Sequence, residues 1–228
     1  MNQIQEIFKT YAPEYIRRYG GSMPASHRKA ISAILNCRTG ALGMHEYACP
    51  SCGGTEHLPR SCGNRHCPGC QQHRAQAWLD KQMQKLLPCS YFLLTFTVPE
   101  QLRRFMRTHQ AKAYSAMFDA ASGSLKKLMK DRRFVGADQS GFFAVLHTWG
   151  RQLQYHPHIH FVVPGGGLSV GRDRWTGSNP DFLVHVKALS RLYKAKLRDA
   201  LDKAGLLDQV DAEVWTRDWV VNCKAVGN

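Results

Sequence analysis

The segments FFAVLHTW (142–149) and HIHFVVP (158–164), separated by GRQLQYHP (150–157), decide the fold. Both are rich in β-branched and aromatic residues and are joined by a polar stretch, so they read as the antiparallel strands of a hairpin. Positions i and i+2 of a strand share a face, which sets His158 and His160 side by side while Ile159 enters the opposite core. If the hairpin register places His147 directly opposite, three imidazoles share one face, with open positions where a cation would polarise a phosphate oxygen. A single histidine in such a strand is usually a satisfied core residue; three on one hairpin face point to a metal site. His156 is not an expected ligand, because Pro157 disturbs the pairing beside it; it is read as orienting the site or contacting DNA.

Outward from the hairpin, SYFLLTFTVP (90–99) is a buried strand bounded by proline, and 100–130 is an amphipathic helical region with a basic end. A Gly165-Gly166-Gly167 turn and a loop to about 181 follow the hairpin. A helix near 185–204 stopped by Gly205 and a last strand pair around 211–223 come next. Residues 3–19 and 26–36 carry helical spacing, with Pro13 interrupting the first and Ser26 placed as an N-cap for the second. Residues 71–87 form a further helix ending at Pro88.

Between 37 and 73 the composition shifts to Cys, Gly, Pro and His, too poor in large aliphatics for an ordinary core. Cys49-Pro-Ser-Cys52 and Cys67-Pro-Gly-Cys70 are two C-x-x-C knuckles whose tight turns aim both sulfurs inward, so Cys49, Cys52, Cys67 and Cys70 are expected to hold one zinc. Redox dithiols or disulfides are the alternatives. An alternating arrangement would put Cys37, His45, Cys62 and His66 on a second zinc; otherwise Cys62 is a small buried residue and His66 a phosphate-facing donor. His57 and His73 read as ordinary polar histidines, and Cys89 and Cys223 as buried, unreactive thiols.

The 228 residues carry 31 Lys and Arg against 17 Asp and Glu, a formal net charge of +14. Acidic residues are scarce in both 1–90 and 91–228, which favours a polyanionic partner, nucleic acid before acidic lipid, over a neutral small molecule. Hydrophobic residues at 43% suffice for a core and exclude disorder of the whole chain. The chain shows neither a secretory start nor an apolar run of membrane-spanning length, so the expectation is a cytoplasmic protein with no membrane partner, whose cysteines serve metal rather than disulfides.

His158-Ile159-His160 is similar to the His-hydrophobe-His motif of the HUH single-strand endonucleases. The order CRTGALGMHEYACPSCG, SCGNRHCPGCQ, FTVP and HPHIHFVVPGGGLS resembles, over most of 25–224, the rolling-circle insertion-sequence transposases of the two-tyrosine class, which carry an N-terminal zinc-binding domain. The resemblance implies an α+β chain: N-terminal helices (1–36), a zinc-binding module (37–73), and an HUH nuclease domain (74–228) with a central antiparallel sheet flanked by helices. It also implies a tyrosine attacking a phosphodiester of single-stranded or hairpin DNA, with a divalent ion stabilising charge on the scissile phosphate. His158 and His160 match the motif's two ligands, whereas His147 rests on the hairpin argument. Imidazole alone suits zinc or manganese; the family's chemistry implies magnesium or manganese.

In that family the nucleophilic tyrosine lies on a helix downstream of a segment like DWVVNCKAVGN, which places it beyond Asn228. Tyr193 is a weak substitute, since SRLYKAKL gives it core spacing, and Tyr155 reads as a stacking or packing residue. The expectation is a chain of nucleoid-associated bacterial type that binds such DNA without forming a tyrosine-linked adduct. Arg132, Arg133, Arg151, Arg172, Arg174 and Trp175 are the expected DNA contacts. The competing class is a zinc-ribbon DNA-binding regulator whose histidines are structural. A hydrolase using activated water ranks behind both, for want of a carboxylate base near the histidines.

Overall fold

The structure, a computed structural model, describes residues 3–227. The chain divides into two compact units, with the boundary between Leu86 and Leu87. The boundary expected between 73 and 74 falls inside a helix, because Pro68 starts that helix at its first position, where a missing N–H costs nothing.

The first unit contains helix α1 (Gln3–Tyr19), helix α2 (Ala25–Asn36), the hairpin β1 (Met44–Ala48) and β2 (Thr55–Pro59), and helix α3 (Pro68–Met83). Helix α1 runs through Pro13 instead of breaking there. Pro24, not Ser26, occupies the cap of α2, and no side chain caps it. Helix α3 begins three residues before the expected start and ends at Met83, short of Pro88. Among the described residues, the buried hydrophobic cluster of this unit is Ile34, Cys37 and Cys67, with Phe8, Cys62 and Cys70 packed against it. Gln5 ties α1 to it, donating through Nε2 to the carbonyls of Ile34 (3.1 Å) and Cys37 (2.9 Å). A core this small is of the kind a metal staple supports.

The second unit is α+β. It contains β3 (Tyr91–Thr97), α4 (Leu102–Thr108), α5 (Gln110–Lys130), β4 (Phe143–Trp149), β5 (Tyr155–Pro164), β6 (Gly166–Leu168), β7 (Trp175–Gly177), α6 (Val186–Lys203) and β8 (Val221–Gly227). Four strands form an antiparallel sheet in the order β4-β5-β3-β8. Instead of the strand pair expected around 211–223, two short 3-10 turns lead to the single strand β8, which joins β3.

Burial alternates along β3 and, from His156 onward, along β5: Phe92, Leu94 and Phe96, and Pro157, Ile159, Phe161 and Val163, are buried, while their neighbours are half-exposed. The buried set meets α5, whose Ala113, Ala116, Met117, Ala120, Ala121, Leu125, Leu128 and Met129 form an i, i+3/i+4 stripe. It also meets α6, through Leu189, Tyr193, Leu197 and Leu201. The helices of this unit flank the sheet on the face that carries this buried set. The histidines are on the other face.

Candidate metal and nucleic-acid site

The register settles the first question left by the sequence. His158 pairs with His147 on β4 and with Thr97 on β3; His160 pairs with Val145 and with Thr95. His147, His158 and His160 thus converge, with ligand atoms all within 4.8 Å of one another. Their rings meet edge-on: centroids are 4.7 Å apart for His147 and His160, 4.8 Å for His158 and His160, and 5.3 Å for His147 and His158.

Two of the three rings are oriented by their other nitrogen. His158 Nδ1 lies 2.8 Å from the His156 carbonyl, which only accepts, so Nδ1 carries the proton and the Nε2 lone pair is free. His160 Nδ1 lies 3.0 Å from Thr95 Oγ1. The His147 ring lies parallel to that of Trp149, 5.1 Å away at 12° between planes. Burial, and then the neighbouring His158, hold His147 below the ordinary imidazole range; the same causes, with His147 added, lower His160. Neutral imidazoles are ligand-ready, so the donor set fits a divalent ion that keeps positions open for oxygen ligands.

His156 does not join the set. β5 carries one extra residue against β4 between the His147–His158 and Trp149–Tyr155 pairs, and His156 and Pro157 take up that slip. Its Nδ1 is buried without a partner in the protein, as is the Nε of Arg103. Its pKa is lowered by burial first and then by Arg103.

Tyr193 packs in the core of the second unit. It is 0% exposed, packed edge-on against Phe96 (5.0 Å) and Trp219 (5.6 Å), and burial raises its hydroxyl far above the usual range. The Tyr155 hydroxyl lies 2.7 Å from that of Tyr114 and is likewise raised, by burial and by that contact, in keeping with a packing role.

The cysteines group differently from the expectation. Cys37, Cys62, Cys67 and Cys70 lie together, with sulfurs 3.5 Å apart for Cys37 and Cys70 and 3.6 Å for Cys62 and Cys70. Zn–S bonds of about 2.3 Å in a tetrahedron put sulfurs roughly 3.8 Å apart, so this cluster fits a structural zinc. Cys49 and Cys52 are exposed and outside it. The reason is the hairpin: β1 and β2 pair Ala48 with Thr55, which makes the Cys49–Cys52 knuckle the turn of a two-stranded ribbon. Nor do His45 and His66 join Cys37 and Cys62. His45 is on β1 facing Leu58, and His66 is exposed with its Nε2 accepting from Arg65 Nε.

The expected DNA contacts are all exposed but do not form one cluster. Arg151 lies in the turn at the histidine end of β5, whereas Arg172, Arg174 and Trp175 follow the opposite end, a strand length of roughly 30 Å away. Arg172 Nε donates to Gln139 Oε1, which links that far end to the segment after α5. Arg133 is committed to Asp131 (2.6 Å), while Arg132 stands exposed beside it. Sequence reasoning missed Thr95 and Trp149. The alternation Leu94-Thr95-Phe96-Thr97 carried a signal for the first, since the threonines are the polar members of a buried strand.

Two family models match the chain: a transposase zinc-binding domain over residues 7–98 and a putative transposase over 141–228. The chain is 40% identical over 202 residues to the putative transposase y4qJ of Sinorhizobium fredii, covering 89% of this chain and 50% of the relative. It is 31% identical over 175 residues to the transposase for insertion sequence element IS801 of Pseudomonas savastanoi pv. phaseolicola, covering 76% and 40%. It thus spans half the length of the first relative, and less of the second. Among solved structures, a metal-bound conjugative relaxase TrwC in complex with oriT DNA is similar at a TM-score of 0.41 and 20% identity, over 51% of this chain and 44% of that one. Among the described residues no helix is long and apolar enough to cross a membrane.

Proposed function

Because the chain belongs to the transposases that carry this zinc-binding domain, we propose that its three-histidine face binds a phosphodiester of single-stranded or hairpin DNA with a divalent ion, for tyrosine-mediated nicking and strand transfer. The observation that carries this is the shared face of His147, His158 and His160, with the Nδ1 atoms of His158 and His160 engaged and their Nε2 atoms left for the ion. Magnesium or manganese, held by these imidazoles, would supply a positive charge against the phosphate oxygens. The chain's own groups do the rest. Thr95 and the His156 carbonyl hold two rings in orientation, and the basic surface draws in the polyanion without sequence preference. Since the ligands are all neutral, the ion's charge stays available to the phosphate instead of being cancelled by a carboxylate. Cys37, Cys62, Cys67 and Cys70 hold a structural zinc in this reading, in a protein of the bacterial cytoplasm.

The test is binding of a labelled single-stranded oligonucleotide with and without Mn²⁺, comparing the intact chain with a His158→Ala, His160→Ala double variant. The reading expects Mn²⁺ to raise affinity in the intact chain and to have no effect in the double variant. Equal ion dependence in both would leave the zinc-ribbon regulator as the function.

A further inference from the structure

The indole of Trp149 is 52% exposed although it stands directly beside the ligand set. Two residues beyond His147 on β4, it presents one ring face to that imidazole at 5.1 Å and 12°, while His158 and His160 meet His147 edge-on. Layers therefore run from the His158–His160 pair to His147 to Trp149, and the outer face of the last layer is open. β4 is an edge strand, and its ladder with β5 ends at the slipped Trp149–Tyr155 pair, so among the described residues no further strand pairs with it on that side.

We propose that this open face of Trp149 is the seat of a nucleobase, that of the nucleotide adjoining the phosphate at the histidine face. The proposal rests on the DNA reading above and adds a binding residue to it. Stacking on an indole suits any base, because every base has a π-face, so the seat places the strand without selecting sequence. Charge complementarity favours this occupant over an apolar protein segment. The chain carries a formal net charge of +14, and the exposed Arg151 follows Trp149 by two residues. A strand lying here meets an aromatic plane under one base, with the exposed Arg151 two residues on from it.

The experiment scans a single abasic site along a short single-stranded oligonucleotide, in Mn²⁺, against the intact chain and the Trp149→Ala and Trp149→Phe variants. The seat predicts one position at which base removal weakens binding to the intact chain. Trp149→Ala should weaken the unmodified oligonucleotide by about 10- to 100-fold, erase the effect of that abasic position, and leave Mn²⁺ affinity, read by calorimetry without DNA, unchanged. Trp149→Phe should retain most of the binding. Unaltered DNA affinity in Trp149→Ala would overturn the seat, and so would a parallel fall in Mn²⁺ affinity, which would make Trp149 a prop for His147. If the intact chain shows no ion-dependent binding at all, the DNA reading itself fails, and the seat with it.

Discussion

Thr95 Oγ1 on β3 lies 3.0 Å from Nδ1 of His160, its directly paired neighbour on β5. When His160 ligates through Nε2, its Nδ1–H donates to this hydroxyl, which makes Thr95 a positioning residue for the ring. Thr95→Val, nearly isosteric but without the acceptor, is expected to weaken Mn²⁺ binding by about 10- to 100-fold, and Thr95→Ser to restore most of it. Calorimetric titration of the DNA-free protein checks both. Equal affinity in Thr95→Val would show the ring is held by packing alone.

This contact also marks where sequence reading stops. The common face of His158 and His160 follows from the two-residue period of any strand, and so was legible. His147 required the register across a connection that contains a slip, and Thr95 required knowing that β3 inserts between β5 and β8, a non-local pairing no local pattern specifies. The cysteines fail for the same reason. Spacing constrains pairs three apart, but Cys37 and Cys62 are brought together from 25 residues apart by the β1–β2 ribbon, which displaces the Cys49–Cys52 knuckle to its tip.

The Cys37, Cys62, Cys67, Cys70 cluster makes the two knuckles inequivalent. Cys37→Ser removes a buried ligand from a unit whose other core residues are few. Binding free energies of structural zinc are on the order of 10 kcal/mol, so this variant should release zinc rapidly to a chromophoric chelator and become protease-sensitive between 37 and 70. Cys49→Ser should keep the slow release of the cluster zinc. Rapid release in both variants would restore the arrangement expected from spacing.

Tyr193 separates packing from chemistry. Its hydroxyl is buried without a partner, so Tyr193→Phe removes an uncompensated polar group and should leave stability unchanged or raise it by about 1 kcal/mol. Tyr193→Ala should cost about 3–5 kcal/mol through the cavity among Phe96, Leu197 and Trp219. Urea denaturation reads both. A Tyr193→Phe variant that folds normally yet loses DNA binding would contradict the purely structural role.

The glycine run after β5, expected as a turn, is the start of strand β6 and tolerates no side chain. Gly166 has φ of +156°, and a Cβ there would stand 2.6 Å from the Thr176 carbonyl oxygen and 2.5 Å from the Trp175 ring. Gly166→Ala must therefore push β7 away from β6, at a cost of about 1–3 kcal/mol. Trp175 fluorescence should shift as the indole loses its seat over the glycine. An unchanged denaturation midpoint would show that the two-stranded ribbon yields without penalty.

Acid should weaken the metal-free fold through the same histidines that await the ion. In the unfolded chain His147 and His160 titrate near the usual 6.5, whereas burial lowers both in the native state. Between the two values the unfolded chain binds more protons, so stability is fully present above about pH 6.5 and falls as the pH drops below it. In a chelating buffer, Tm of the second unit should be flat from pH 8 to about 7 and decline below about 6.5. Replacing His160 by Gln, which removes one titrating ring but keeps a polar contact for Thr95, should make that decline shallower. A Tm that rises on acidification would mean that the native state gains protons at this face, the reverse of what burial of these rings requires.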